Sequence, residues 1–282
     1  MGVDLGGTGV KGVAITEKSK VVASFDIPTV RFEDAPISLL IEEIEKLVFD
    51  DKVLVSIGIG ASGPVNLKTN LINNADTLPQ FTGVDLIGAL SNAFGVPVCI
   101  DNDAIAAAYA EYEWTFNRKV QALAMITLGT GIGVAALRNG QPMRNLKGEH
   151  PELGHIATPG SSHPCYCGLD NCWEQSASRK ALEMLFEDEG YDNPFIWREY
   201  AKNLSDGLLS IINGLDPEVI VIGGSVAQYW DKLENLVHEN LQVGIYTSQS
   251  LKVVPSKLGP LAGAQGAALI PEIRLNTGLE PA

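Results

Sequence analysis

Three of the four cysteines, Cys165, Cys167 and Cys172, fall within eight residues. Spaced C-x-C-x4-C, they set three thiolates on one short loop. The N-terminal residues show no basic flank followed by an apolar stretch, so no secretion signal is expected. The cluster therefore reads as a metal site rather than a disulfide framework. Three sulfurs and one imidazole would make a closed tetrahedral zinc site of the structural type, with no position left for water. His155 and His163 compete for the fourth place. Cys99 stands apart and reads as a small core residue.

Glycine offers a second chemistry. A strand, a glycine turn and a second strand occur twice, in DLGGTGVKGVAI from Asp4 and in TLGTGIGVAAL from Thr127. Each turn presents backbone N–H groups able to cradle phosphate. The likeness of the segments predicts an internal duplication: two similar lobes whose facing hairpins grip a nucleotide. A third chemistry lies in IDNDA, which holds Asp101 and Asp103. A carboxylate within hydrogen-bond reach of a hydroxyl can take its proton as that hydroxyl attacks. Asp103 also precedes an alanine run, where a helix N-cap stands. Residue types alone leave both roles open.

One motif misleads. Gly58-Ile59-Gly60-Ala61-Ser62-Gly63 fits G-x-G-x-x-G after a strand. A dinucleotide site needs a helix to start there, but Pro64 and then VNLKTN follow, without helical periodicity. No G-x-x-x-x-G-K-[ST] occurs either, so phosphate binding is left to the hairpins.

These groups need a scaffold. Strands are predicted at GVDLGG, VKGVAIT and KVVASFDI, with Lys18, Ser19 and Lys20 turning between the last two. Apolar residues at helical spacing from Ile37 to Val48 predict a helix with Pro36 in its first turn. VLVSIGI reads as a buried strand, Leu86 to Phe94 as a helix, VPVCI as a strand and Ala104 to Tyr112 as an alanine-rich helix. The second half restarts with VQALAMITL and GVAAL, then helices to about Gly214, EVIVI, a helix near Tyr229 to Leu241, LKVVP and a small-residue helix from Gly263 to Ile270. NTGLEPA is expected to fray. His150 and His238 read as surface histidines.

Composition sets outer bounds. A length of 282 residues suggests about two domains. Lys+Arg 20 against Asp+Glu 34 gives a net charge of −14, which disfavours nucleic acid. No run of about 18 apolar residues is present, so no helical membrane span is expected.

Asp4-Leu5-Gly6-Gly7-Thr8-Gly9-Val10-Lys11 resembles the D-x-G-G-T-x-x-K phosphate loop of the ROK family of repressors, open reading frames and sugar kinases. The likeness continues in order through Asn102-Asp103-Ala104, TLGTGIG, Glu152-Leu153-Gly154-His155, CYCGLDNCWE and Gly223-Gly224. The chain departs from the family at Val134-Ala135 and at Asn171, where glycine is usual, and at His150-Pro151. The resemblance implies an α/β fold, the two-lobed actin/hexokinase-like ATPase fold with a duplicated ribonuclease H-like domain. It implies a small N-terminal lobe over 1–115, a larger lobe over 116–262 carrying the zinc loop, and a C-terminal helix over 263–282 returning to the first lobe.

The same resemblance implies a cytoplasmic homodimer that phosphorylates a hexose with ATP to its 6-phosphate. Glucose is the first expectation; N-acetylmannosamine, N-acetylglucosamine, fructose and mannose are the alternatives. Asp103 would be the catalytic base. Asp4, Gly6, Gly7, Thr8, Lys11, Thr130, Gly131, Gly223 and Gly224 would bind ATP, with Asp4 near Mg2+ through water. Gly63, Asn102, Asp103, Glu152, His155 and Glu174 would bind the sugar. His155, Cys165, Cys167 and Cys172 would hold structural Zn2+, and Asp101 would be structural. A sugar-sensing repressor of the same family is the rival. Such proteins carry a DNA-binding segment ahead of the sugar domain, and with the phosphate loop starting at Asp4 none is expected here. A non-catalytic sensor would need a broken site, whereas Asp4, Gly6, Gly7, Thr8 and Asp103 are intact.

Overall fold

The computed structural model describes residues 1–17, 19–48, 52–146, 148–160, 163–186, 193–246 and 251–277. The chain forms two compact units. Met1–Asn117, Pro142–His150 and Pro260–Ala282 make the first, and Arg118–Gln141 and Pro151–Gly259 make the second.

The first unit is built on strands β1 (Gly2–Leu5), β2 (Gly9–Ile15), β3 (Val21–Pro28), β4 (Ile57–Ala61) and β7 (Val98–Asn102). A small hairpin of β5 (Val65–Asn66) and β6 (Leu71–Ile72) stands beside them. The sheet order is β3-β2-β1-β4-β7. β1, β2 and β3 are antiparallel neighbours, whereas β1, β4 and β7 run parallel. The second unit holds β8 (Ala122–Leu128), β9 (Ile132–Arg138), β10 (Gln141–Pro142), β11 (Val219–Gly223) and β12 (Lys252–Pro255), in the order β10-β9-β8-β11-β12. Its central hairpin is antiparallel and its last two pairings are parallel. The two sheets repeat one plan, as the paired glycine turns predicted. Parallel strands covered on both faces read as unbroken apolar runs, which is why VIVIG of β11 is buried throughout. The edge strand β3 instead alternates half-buried and exposed residues.

Helices α1 (Pro36–Glu45), α2 (Leu86–Phe94) and α3 (Asp103–Ala110) cover the first sheet. α4 (Glu174–Ala177), α5 (Arg179–Phe186), α6 (Pro194–Leu215) and α7 (Trp230–Leu241) belong to the second unit, and α8 (Ala262–Ala267) and α9 (Ile270–Thr277) to the first. α8 is made of small residues because it lies almost on the backbone of the sheet. A Cβ on Gly58 would sit 1.8 Å from the Ala267 carbonyl oxygen. On Gly60 it would sit 3.1 Å from the Ala106 methyl. The glycines of G-x-G-x-x-G thus admit α8 and α3, and no helix starts at Gly63.

Several expectations shift. β4 begins only at Ile57, where it pairs with Val98; Val53 and Val55 before it are 87% and 71% exposed. α3 ends at Ala110 and continues as a π-helical turn over Glu111–Thr115. Residues 142–150, expected with the second lobe, group with the first unit. His150, expected at the surface, is buried. Lys18 of the first turn and residues 278–282 of the C-terminal stretch lie outside the described residues.

Candidate active site

In the first unit the parallel strands bring their polar ends into one row. Asp4 on β1 is in register with Gly60 on β4, and Gly60 with Asp101 on β7. Past this row the chain turns three times, at the Gly6–Gly9 hairpin, at the Ser62–Gly63 loop and at the start of α3. The hairpin is closed by the Gly6 N–H donating to the Gly9 carbonyl at 3.1 Å. Thr29 braces it from the side, its hydroxyl donating to the Gly6 carbonyl at 2.6 Å and its N–H to the Thr8 carbonyl at 3.2 Å. The Gly6 N–H is therefore already used, and a phosphate would meet Gly7 and Thr8, both exposed. Lys11 lies opposite Asp4 on β2 and its Nζ donates to the Pro260 carbonyl at 3.2 Å.

Asp4 is crowded and electrostatically loaded. Desolvation, and then the charge of Asp103, push its carboxyl from 3.8 up to about 7; Lys11 opposes this and Asp26 adds to it. Three carboxylates around one lysine suit a hard divalent cation, which oxygen ligands and water would hold there.

Asp103 was expected at the N-cap of its helix. The cap is Asn102, whose Oδ1 accepts from the N–H groups of Ala104 at 2.9 Å and Ile105 at 3.2 Å. Asp103 is the first helical residue. That frees its carboxylate from capping Ile105 and turns it toward the loop. Its Oδ2 accepts the Ser62 hydroxyl at 2.6 Å, and its Oδ1 accepts the Asn102 side-chain amide at 3.0 Å. The same amide reaches the Gly63 carbonyl at 3.2 Å. Gly63 turns with φ +82°, and a Cβ there would strike Asn74, whose amide holds the Ser62 carbonyl. Asn102, Asp103, Ser62 and Gly63 form one hydrogen-bonded corner.

The second unit gathers the metal ligands. Ligand atoms of His155, Cys165, Cys167 and Cys172 all lie within 4.8 Å of one another. His155 Nδ1 is 3.3 Å from Cys172 Sγ and 3.6 Å from Cys165 Sγ. Tetrahedral zinc, with bonds of about 2.0–2.3 Å, needs ligands at such separations. Burial pushes the Cys172 thiol up to about 12, so a cation is what would draw off its proton. His163 is exposed and is not a member of this group. The outer nitrogen of His155 faces the Tyr166 hydroxyl at 3.0 Å, with the two rings edge to face.

Cys172 leads directly into Trp173 and Glu174, both buried. The Trp173 indole is held by the Asn203 carbonyl at 3.1 Å. Glu174 accepts the N–H of Ile132 at 3.0 Å, tying the cysteine loop to the second glycine hairpin. That hairpin closes by Gly129 N–H to the Gly131 carbonyl at 3.0 Å and leaves Thr130 exposed. Gly223 is in register with Thr127 at the neighbouring strand end. Gly224 follows with φ +77°, packed against the Leu128 backbone. A 3-10 turn over Ser225–Tyr229 follows it and leads into α7. Glu152 is exposed at the entry to a turn over Leu153–His155.

Of the sequence candidates, Asp4, Gly6, Gly7, Thr8, Lys11, Gly63, Asn102 and Asp103 thus belong to the first unit. Thr130, Gly131, Glu152, His155, Cys165, Cys167, Cys172, Glu174, Gly223 and Gly224 belong to the second. Tyr166 and Arg144 were not foreseen, whereas Ser62 lies in the loop Gly60–Pro64 that resembles the family's sugar-facing loop. Tyr166 sits inside a motif already singled out, so its neighbours were the signal. Arg144 has no motif around it.

Residues 1–272 match the family described as ROK. The chain belongs to the ROK family. Its resemblance extends to a glucokinase of Streptomyces coelicolor, 26% identical, covering 95% of this chain and 96% of that one. The xylose repressor of Bacillus subtilis is 25% identical over 77% of this chain but only 61% of its own length. Among solved structures, a ROK family glucokinase from Streptomyces griseus in complex with glucose and AMPPNP superposes with TM-score 0.83 and 24% identity, covering 95% of this chain and 97% of that one. The ROK fold, actin/hexokinase-like, is therefore the fold of this chain.

Proposed function

We propose that this ROK protein transfers the γ-phosphoryl group of ATP to the 6-hydroxyl of a hexose, glucose first. The observation that carries the reading is the Asn102–Asp103 corner. A carboxylate is held at a helix start by Ser62, Asn102 and the Ala104 N–H, while Asn102 makes the cap. Similarity to a glucokinase over 95% of this chain and 96% of that one supports it.

Little covalent work falls to the protein in phosphoryl transfer; it positions the partners and stabilises charge. Asp103 accepts the proton of the attacking hydroxyl. Its Oδ1 is engaged by the Asn102 amide, which orients it, and Asn102 would stand beside the sugar. Glu152, Glu174 and the outer nitrogen of His155 accept or share further sugar hydroxyls. Gly7 and Thr8 of one hairpin, and Thr130 and Gly131 of the other, donate N–H groups to phosphate oxygens. Gly223 and Gly224 would meet the nucleotide through their backbone. Mg2+ near Asp4 would neutralise phosphate charge, and Lys11 would add to that. Zn2+ on His155, Cys165, Cys167 and Cys172 would fix the loop that carries Glu174. The reading places the enzyme in the cytoplasm as a homodimer. N-acetylmannosamine, N-acetylglucosamine, fructose and mannose are the alternative acceptors.

A panel of these sugars with MgATP, followed by coupled ADP release, tests the proposal. Glucose should give the highest kcat/KM. If no sugar raises ADP release above the sugar-free rate, the kinase reading fails.

A further inference from the structure

Arg144 belongs to the segment Pro142–His150, which leaves the second unit's sequence to pack with the first. Its guanidinium is largely buried and holds Asp101 with both nitrogens, Nη2 to Oδ2 at 2.5 Å and Nη1 to Oδ1 at 3.1 Å. Nη1 also donates to the Gly148 carbonyl at 3.0 Å, and Tyr109 of α3 adds to the favourable surroundings of the guanidinium. Asp101 is 2% exposed. A bidentate fork of this kind fixes orientation as well as charge.

The fork has a purpose beyond itself. Asp101 Oδ1 accepts the backbone N–H of Asn102 at 2.8 Å. Asn102 in turn caps α3 and holds Asp103 and Gly63. A continuous chain of hydrogen bonds therefore runs from Arg144 through Asp101 and Asn102 to the carboxylate at Asp103. On the far side, Arg274 holds the Ile100 carbonyl, one residue before Asp101. Two arginines thus hold the last residues of β7, Arg144 through the Asp101 carboxylate and Arg274 through the Ile100 carbonyl.

We propose that Arg144 is a positioning residue for the Asn102–Asp103 corner. Its hold on Asp101 fixes where the proton acceptor stands, so phosphoryl transfer to the sugar depends on it beyond folding. The inference rests on the kinase reading for its kinetic part and on geometry alone for its structural part.

Removing one partner leaves a buried uncompensated charge and destabilises, whereas replacing both by neutral groups of similar volume is often tolerated. The test is therefore the double variant Arg144→Met with Asp101→Asn, beside Arg144→Lys, which keeps the charge and loses the fork. Misplacement of a reacting group by about 1 Å costs up to ~100-fold. In both variants kcat with sugar should fall at least about tenfold. KM for ATP should stay within about twofold, because the hairpin of Gly6–Gly9 is not in the chain of bonds. Hydrogen exchange followed on peptides spanning 101–105 should speed up locally in the double variant, at a Tm near wild type. This second readout needs no turnover. It decides the positioning claim even if the wild-type protein phosphorylates no sugar, an outcome that instead strikes the kinase reading. Wild-type kcat, or unchanged exchange over 101–105, in a folded double variant would overturn the inference. So would a loss of activity that merely follows the loss of folded protein in every variant.

Discussion

Replacing Asp103 by Asn separates the two roles that IDNDA left open. The substitution keeps size and one carbonyl oxygen, which can still accept the Ala104 N–H now bonded at 2.8 Å. The helix cap is untouched, because Asn102 makes it. The carboxylate does lie in the first turn of α3, where a negative charge is worth about 0.3–1 kcal/mol. A stability change beyond ~1 kcal/mol is therefore not expected. The proton acceptor, by contrast, is gone. General-base assistance is worth about 10²–10⁴-fold, or roughly 3–5 kcal/mol of barrier. The expected result is a fall in kcat of at least ~100-fold, with sugar binding by calorimetry weakened less than tenfold. Ser62→Ala is the comparison: it removes one hydrogen bond to Asp103 and should cost under about tenfold. If Asp103→Asn keeps more than a tenth of wild-type kcat, the reasoning is refuted and Asp103 is only the first residue of a helix.

Purified protein should carry one zinc per chain; Cys167→Ala should lose it and raise the sugar KM several-fold, and metal analysis beside kinetics checks both. In Gly131→Ala the new methyl would stand 2.2 Å from Glu174 Oε2; the carboxylate must leave the Ile132 N–H, so a loss of about 1–3 kcal/mol and a raised sugar KM are expected, and an unchanged Tm would count against the tie. Asp4, raised from 3.8 to about 7, binds its proton more tightly when folded; in metal-free protein its contribution is favourable below about pH 4 and is lost as pH rises through 7. Asp4→Asn should therefore raise Tm relative to wild type at pH 8, leave it nearly unchanged at pH 4, and abolish Mg2+-dependent turnover; parallel Tm profiles for the two proteins would contradict this.

Much of the fold could be read from residue pattern. The duplicated glycine hairpins announced two sheets of one plan, because a hairpin followed by parallel strands leaves the same signature twice. Metal-ligand spacing was legible for the cysteines because they share one loop. His155 was not separable from His163 by distance along the chain; only folding puts Nδ1 of one against two sulfurs. VLVSIGI misled because apolar Val53 and Val55 precede the strand without entering it. His150 misled because nothing local marks a buried histidine. Arg144 could not be read at all: its partner is 43 residues away, and a single arginine in a loop has no periodicity to betray burial.

The activity proposed for this ROK chain is the formation of a hexose 6-phosphate. The most direct measurement is 31P and 1H NMR of the product formed by purified protein from glucose and MgATP. A phosphate ester coupled to the two C6 protons, formed in step with ADP and missing with Asp103→Asn, is the predicted result. A phosphate on another carbon, inorganic phosphate alone, or equal product from the Asp103→Asn variant would contradict the account.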